Sequence, residues 1–253
     1  MMVSFRLVKL LALLVFVGML LSGCAGKKAP VDVSAASQDS PAAVRDSLRA
    51  KFVMTIVDSL GKEQELDAVL FSVPGQRYRM ELTGPMGIGV ASLLWTTEKW
   101  DVVFPTEKIY VEGVGYMVGL IGDNTIPMVP IHQVADLFDG ILIPQNGTVM
   151  SESDSAGFHV VREKSSTGMV YAYGKKDGNV EWFMRGGRDG KPEVLRFSGF
   201  KEFEGVRTPE TIVFERDGKM FLKIRIKKVA RNKTFSPGTW HLNIPKSYKR
   251  IGA

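Results

Sequence analysis

The sequence is short of the side chains that catalysis and metal binding most often use. It has one cysteine, Cys24, and three histidines among 253 residues. A single cysteine excludes a disulfide within the chain, and the histidines, His132, His159 and His241, lack the spacing of a metal site. Neither a Gly-x-Ser-x-Gly elbow nor a phosphate loop with Lys-Ser/Thr occurs. We therefore expect no catalytic residue, no metal and no cofactor, and hence not an enzyme.

Long apolar runs are also scarce, and the exception lies near the N-terminus. Arg6 and Lys9 precede an apolar stretch from Leu10 to Leu21. This stretch is shorter than the roughly 18–20 residues that a membrane-spanning helix needs, so it indicates an export signal. We expect residues 1–23 to be a signal peptide.

The signal ends in a motif that explains the lone cysteine. Leu21-Ser22-Gly23-Cys24 resembles the lipobox of bacterial lipoproteins. The resemblance implies that Cys24 carries a diacylglycerol group and, after cleavage, an N-acyl chain, which together hold a protein stably at a bilayer. Ala25 follows in place of an inner-membrane aspartate signal, which implies an outer-membrane lipoprotein facing the periplasm. The alternative is an unmodified cysteine beside an ordinary cleavage site.

The charge balance is mildly basic. The formal net charge is +6, and loss of Arg6 and Lys9 with the signal peptide would lower it to +4. A nucleic-acid partner is not expected outside the cytoplasm. The bias suits an anionic membrane surface, to which Lys and Arg side chains contribute about 1 kcal/mol each at close range. Ordinary surface charge is the alternative.

Composition divides the chain into a tether and one domain. Residues 24–39 comprise the cysteine and a small, polar, aperiodic stretch, typical of a flexible tether. Residues 40–253 contain no polar spacer long enough to mark a boundary, so we expect a single domain. At its start, Ser40 precedes Pro41, and Val44 with Leu48 has helical spacing, which predicts a short helix over 41–50.

From Lys51 onward the hydrophobic period is two for most of the chain. This alternation predicts an antiparallel sheet protein, mainly β with a few helices. Asp-Gly pairs at 177–178, 189–190 and 217–218 supply the positive φ angles of tight hairpins. The predicted strands are 51–58, 65–73, 77–83, 89–97, 100–104 and 108–112, then 158–164, 169–175, 180–186, 193–203, 208–216 and 219–229.

Two helical pieces are predicted between these two sets of strands. Residues 114–122 are apolar all round, and residues 130–139 carry apolar side chains at helical spacing, with Gly140 as a C-terminal cap. A helix with one apolar face, inserted in a long meander, is well suited to covering the open side of a curved sheet, which leaves a cavity. The candidate cavity-lining residues are Tyr78, Met80 and Leu82 on a strand, with Ile131, Val134 and Phe138 on the helix.

Two carboxylates on the predicted helix are the residues that could most readily form a catalytic pair. Asp136 and Asp139 lie three residues apart, as an acid/base pair would. Their place beside the apolar stripe indicates a solvated flank instead. An envelope hydrolase would need a polar cluster inside the cavity, and no such cluster is visible in the sequence.

Three stretches resemble the LolB family of outer-membrane lipoprotein receptors. Residues 77–87, Arg-Tyr-Arg-Met-Glu-Leu-Thr-Gly-Pro-Met-Gly, are similar to that family's strand and its x-Pro-Leu-Gly loop. Residues 129–140 are similar to its Ile-Pro-Leu helix motif, although Leu137 stands where the family usually has tryptophan. The lipobox agrees with both. The segment from Phe235 to Pro245 resembles the ending of the related LolA carriers.

The resemblance implies a fold, a ligand and a role for one loop. The fold is an incomplete antiparallel β-barrel of the LolA/LolB type, covered by short helices over an apolar cavity. The cavity would take acyl chains of lipoproteins handed over by a LolA-like carrier, for insertion into the outer membrane. The loop of Pro85, Met86, Gly87 and Ile88 would enter the membrane, with Met86 at the position of the family's exposed apolar residue.

Two alternatives remain at this stage. Met86 and Ile88 are expected to fold into the core if the loop resemblance does not hold, as most such residues do. The protein as a whole is alternatively a structural or assembly lipoprotein, with a filled cavity and a surface that docks an envelope complex. A large exposed apolar patch would favour this second reading.

Overall fold

A computed structural model describes residues 46–115, 130–187 and 190–251. Its strands form one sheet in the order β14-β6-β5-β4-β3-β2-β1-β13-β12-β11-β10-β9-β8-β7. The strands are β1 (Leu48–Val57), β2 (Glu63–Val73), β3 (Arg77–Thr83), β4 (Gly89–Thr96), β5 (Lys99–Phe104), β6 (Ile109–Val114), β7 (Thr148–Ser155), β8 (Phe158–Lys164), β9 (Val170–Lys176), β10 (Asn179–Gly186), β11 (Pro192–Phe203), β12 (Val206–Arg216), β13 (Lys219–Arg231) and β14 (Lys249–Arg250).

The sheet consists of two meanders, β1–β6 and β7–β13, which are joined by the pairing of β1 with β13. Neighbouring strands pair antiparallel except β14, which pairs parallel to β6. The first and last long strands lie side by side, with Leu48 of β1 opposite Arg231 of β13 and Ile56 opposite Leu222. The sheet stays open, because β7 and β14 form its two ends. The expected incomplete antiparallel barrel, mainly β with helical cover, is confirmed.

One α-helix, α1 (Ile131–Phe138), covers the inner face of the sheet. Its buried residues include Val134 and Phe138, and the Phe138 ring lies 4.9 Å from the ring of Phe52 on β1. The helix ends as the sequence predicts, with Gly140 at a φ of 73° just after the last turn. The helix is therefore part of the single main core, which it shares with strands from both halves of the chain.

The segment after β13 crosses the outer face of the sheet and is held there by β3. The Arg79 guanidinium donates to the carbonyl oxygens of Thr239 at 2.7 Å and His241 at 3.1 Å. The ring of Phe235 packs edge-on against that of Trp240 at 5.5 Å. The segment between Phe235 and Pro245, which resembles the ending of the LolA carriers in sequence, thus lies across the outer face of the sheet.

The predicted helix over 41–50 is wrong where the structure describes it. Leu48 and Ala50 belong to β1 and point inward, while Arg49 points outward. The i, i+4 spacing of Val44 and Leu48 suggested a helix, but pairing of β1 on both sides satisfies the backbone hydrogen bonds and overrides that local signal. Residues 41–45 lie outside the described residues, as do 116–122 of the second predicted helical piece.

Strand β7 was not predicted from the sequence, because the prediction relied on the hydrophobic period. All eight of its residues are exposed, and its sequence, Thr-Val-Met-Ser-Glu-Ser-Asp-Ser, shows no apolar alternation. It lies at one end of the sheet and pairs only with β8 in the described part of the chain. Its charged side chains are typical of an edge strand that must avoid pairing with another molecule.

Candidate functional site

The loop after β3 presents two apolar side chains to solvent. A 3₁₀ turn, Pro85–Gly87, follows β3, and the Gly84 N–H donates to the Ile88 carbonyl at 2.8 Å to close the base of the loop. Met86 is 94 % exposed and Ile88 52 % exposed. Both predicted residues therefore lie outside the core.

The backbone at the loop apex is held in an uncommon conformation. Met86 has φ 61° and ψ 19°, in the left-handed region that residues other than glycine seldom occupy. Gly87, at φ 76°, adopts the same region without steric cost. The loop therefore keeps a large apolar side chain outward at a cost to stability, with no packing gain in the free protein.

The six predicted cavity residues come together on the inner face. Tyr78, Met80, Ile131, Val134 and Phe138 are each at most 4 % exposed, and they belong to one cluster. Leu82 packs against the same cluster and is partly buried. Because α1 lies directly on these strands, a ligand would reach this face only after α1 moves away.

A buried arginine fastens the C-terminal end of α1. The Arg231 guanidinium forms an ion pair with Asp139 and donates to the Phe138 carbonyl at 2.5 Å. The Arg231 backbone N–H donates to Glu204 at 2.5 Å. Arg231 is 6 % exposed and Glu204 is exposed, so this group of Arg231, Asp139 and Glu204, which we call the Arg231 lock, joins a buried cation to a carboxylate at the surface.

The expected solvated flank of α1 is therefore corrected for one residue. Asp139 caps the helix and pairs with Arg231, because the buried cation needs a counter-ion. Asp136 is half-buried. Burial lowers the pKa of the neighbouring His132, and the charge of Asp136 partly opposes this effect. The two carboxylates thus differ in environment, and the Asp139 carboxylate is engaged by Arg231.

A second buried polar cluster was not predicted from the sequence. Glu163 of β8 accepts hydrogen bonds from the hydroxyls of Tyr171 at 2.6 Å and Tyr173 at 2.8 Å. A Cβ on Gly147 would lie 2.1 Å from the Tyr171 oxygen, so only glycine fits beside this cluster. The sequence feature that could have predicted this cluster is Glu163, an acidic residue two positions after Val161, which places it on the inward face of β8.

The chemistry of this cluster is structural hydrogen bonding. Burial, together with the hydrogen bond to Glu163 and its charge, raises the pKa of Tyr173 to about 12, and the same causes raise the pKa of Tyr171 further. Both tyrosines therefore stay protonated and act as donors at neutral pH. Across the described ranges, no group of three or more His, Cys, Asp and Glu side chains is placed to hold a metal ion.

Comparison with known proteins defines the class of fold. No protein-family model and no curated protein matches the sequence. A LolA superfamily protein from Nitrosomonas europaea is 10 % identical with a TM-score of 0.52, and the match covers 78 % of this chain and 91 % of that one. A DUF1329 family protein from Desulfovibrio piger is 13 % identical with a TM-score of 0.56, over 79 % and 91 % of the two chains.

These similarities confirm the expected LolA/LolB-type likeness at the level of fold. They cover most of the chain at an identity too low to transfer a ligand or a role. Among the residues with described structure, no helix has the length and hydrophobicity needed to span a bilayer. The signal peptide, Cys24 and the tether lie outside the described residues and stay predictions.

Proposed function

We propose that this protein is an outer-membrane lipoprotein, anchored through Cys24, that receives acylated lipoproteins from a LolA-like carrier and inserts them into the membrane. The observation that carries this proposal is the exposed Met86, held outward at the tip of a loop by a left-handed backbone. Soluble acyl carriers need an apolar interior, whereas delivery to a bilayer also needs a contact with that bilayer. An outward apolar loop on a LolA/LolB-type fold meets the second requirement.

The energetics of the loop favour a membrane contact. Burial of one Met or Ile side chain is worth roughly 1.5–3 kcal/mol. Met86 and Ile88 forgo this gain in water, since neither packs in the core. Entry of the loop into the bilayer interface would recover it at the moment of delivery.

The acyl chains would bind on the inner face, beneath α1. The side chains there include Met54 and Met80, whose flexible thioethers adapt to irregular apolar ligands. In the closed structure, Val134 and Phe138 occupy this face. Binding would therefore exchange contacts with α1 for contacts with the acyl chain. It would also separate Asp139 from Arg231, so the acyl chain must bury more apolar area than α1 does to offset that loss.

The test is a two-step transfer assay with the mature chain carrying Cys24→Ser. A LolA-like carrier loaded with an acylated lipoprotein is mixed with the protein, and liposomes are then added. We expect Met86→Glu to accept the cargo as well as wild type but to deliver it at least tenfold more slowly, because a charge at the loop tip opposes insertion.

Met150→Glu is the matched control, because Met150 is also exposed but lies on the edge strand β7. Its uptake and delivery should equal those of wild type. Failure of the protein to accept either lipoprotein or free fatty acid would overturn the proposal. That result would favour the alternative, an assembly lipoprotein of the same fold that docks an envelope complex.

A further inference from the structure

The outer face of the sheet carries an open groove that the proposed function does not use. Its volume is about 420 Å³, and it lies where β1, β2 and β13 meet the segment that follows β13. The side chains of Arg49 and Lys51 point into this face, opposite to their inward neighbours Leu48 and Ala50. We call this site the basic groove, and its lining among the described residues is Arg49, Lys51, Phe71, Glu204, Lys228, Ala230, Lys233, Thr234 and Phe235.

Two lysines in the basic groove face each other at a cost to stability. Lys51 of β1 lies directly opposite Lys228 of β13, and like charges in this register destabilise a sheet. A β-bulge at this point places Lys227 and Lys228 both outward. Lys227 pairs with Asp67 at 3.1 Å, whereas no carboxylate lies within ion-pair distance of Lys228 or Lys51 among the described residues. The bulge thus directs an uncompensated cation into the groove.

The remaining lining combines cations with aromatic rings. The Arg49 guanidinium lies 5.4 Å from the centroid of Phe71, and Phe235 packs edge-on against Phe71 at 5.6 Å. Lys233 adds a fourth cation. The single carboxylate, Glu204, already accepts the Arg231 N–H. The groove therefore offers four cationic side chains beside an apolar wall, a combination suited to an anionic group attached to an apolar or glycerol moiety.

The groove lies beside the point where the chain from Cys24 reaches the sheet. Ser47, which precedes β1, donates its hydroxyl to the Lys233 carbonyl at 2.7 Å. As a flexible chain, the residues between Cys24 and Asp46 would have an end-to-end distance on the order of 26 Å. A lipid anchor at Cys24 would hold the groove within that distance of the bilayer surface, where phosphate headgroups are abundant.

We propose that the basic groove binds the phosphate headgroup of an anionic phospholipid in the membrane that holds the anchor. The phosphate would lie between Lys51 and Lys228, with Arg49 and Lys233 at its sides and the glycerol against Phe71. This inference goes beyond the proposed function, because the groove lies on the face of the sheet opposite to the acyl-binding face. The two sites can therefore fail or succeed separately.

The test measures binding of the mature Cys24→Ser chain to vesicles, so that no anchor masks the groove. We expect binding to vesicles that contain phosphatidylglycerol, and little binding to phosphatidylcholine alone. Each neutralised lysine should weaken binding about fivefold, so Lys51→Gln/Lys228→Gln should weaken it about 25-fold. Lys51→Gln alone should raise the melting temperature by about 1–2 °C, because the like-charge pair is relieved.

The matched control is Lys62→Gln/Lys176→Gln, which removes two exposed lysines outside the groove. Its vesicle affinity should fall less than about twofold. Uptake of a fluorescent fatty acid should be unchanged in both double variants, which separates failure of the groove from failure of the acyl site. Equal losses of vesicle binding in the two double variants would overturn the proposal, since they would show attraction by net charge alone.

Two further binding measurements distinguish a lipid headgroup from a soluble anion as the ligand of the groove. Soluble glycerol 3-phosphate should compete with the vesicles only weakly, because it lacks the bilayer. If it saturates the groove while the vesicles do not bind, a free phosphate ester is the ligand and the membrane assignment is overturned. The membrane assignment is also overturned if a glutamate-rich peptide binds the groove and the vesicles do not.

Discussion

Met86 shows most directly how a single residue can be positioned for function at the expense of the fold. Its side chain makes no contribution to the core, and its backbone occupies the left-handed region. For a residue with a Cβ, this conformation costs about 1–2 kcal/mol. Asparagine tolerates the left-handed region far better than methionine does. The position is therefore one where stability and the proposed membrane contact impose opposite preferences.

We expect Met86→Asn to raise the free energy of unfolding by about 0.5–1 kcal/mol, because it relieves backbone strain without removing a buried contact. Denaturant unfolding of the mature Cys24→Ser chain measures this change. Met150→Asn, on β7, is the control, and it should give no gain since Met150 is not among the residues with a positive φ. A loss of stability in Met86→Asn would show that Met86 has a structural role instead.

At the level of elements, α1 depends on the Arg231 lock. The helix has only eight residues, too few to be stable alone, so its position rests on packing and on its C-terminal contacts. Arg231 lies on β13 and reaches both the helix end at Asp139 and the β11–β12 turn at Glu204. The lock therefore joins the element that covers the inner face to the middle of the sheet.

We expect Arg231→Met to lower the free energy of unfolding by about 3–5 kcal/mol, because it leaves Asp139 buried without its counter-ion. Amide hydrogen exchange over residues 131–138 should accelerate more than exchange in β1. Arg225→Met, an exposed position on the same strand, should change stability by less than about 0.5 kcal/mol. Unchanged exchange in α1 would mean that packing alone holds the helix.

The elements with a buried face were predictable from sequence, and those without one were not. Tyr78, Met80 and Leu82 alternate with polar residues, and β3 occupies the predicted range. Strand β7 has no buried face and therefore carries no periodic signal. The exposed loop and the inner-face cluster followed from local patterns together with the family resemblance. The Arg231 lock and the basic groove depend on register, since Lys51 and Lys228 meet only through the pairing of β1 with β13.

At the scale of the whole molecule, the start of β1 and the Met86 loop lie toward opposite ends of strands that run side by side in the sheet. Strands β1 and β3 both pair antiparallel with β2, so they run in the same direction. Leu48, the first residue of β1, is level with Tyr78, whereas the loop begins after Thr83. Five residues of strand span about 17 Å, and the loop extends further. We expect a domain seated by its basic groove to tip or lift before Met86 reaches the bilayer.

We expect the length of the tether to control delivery for this reason. Deletion of residues 28–39 would leave a chain whose end-to-end distance is on the order of 17 Å, about the separation that the loop must cross. The anchored variant should deliver lipoprotein several-fold more slowly while accepting cargo from the carrier normally. A Gly/Ser segment of the original length should restore the rate, because only reach has changed. If delivery by the short-tethered protein matches wild type in the liposome assay, the loop reaches the membrane without tipping, and the groove and the loop contact the bilayer together.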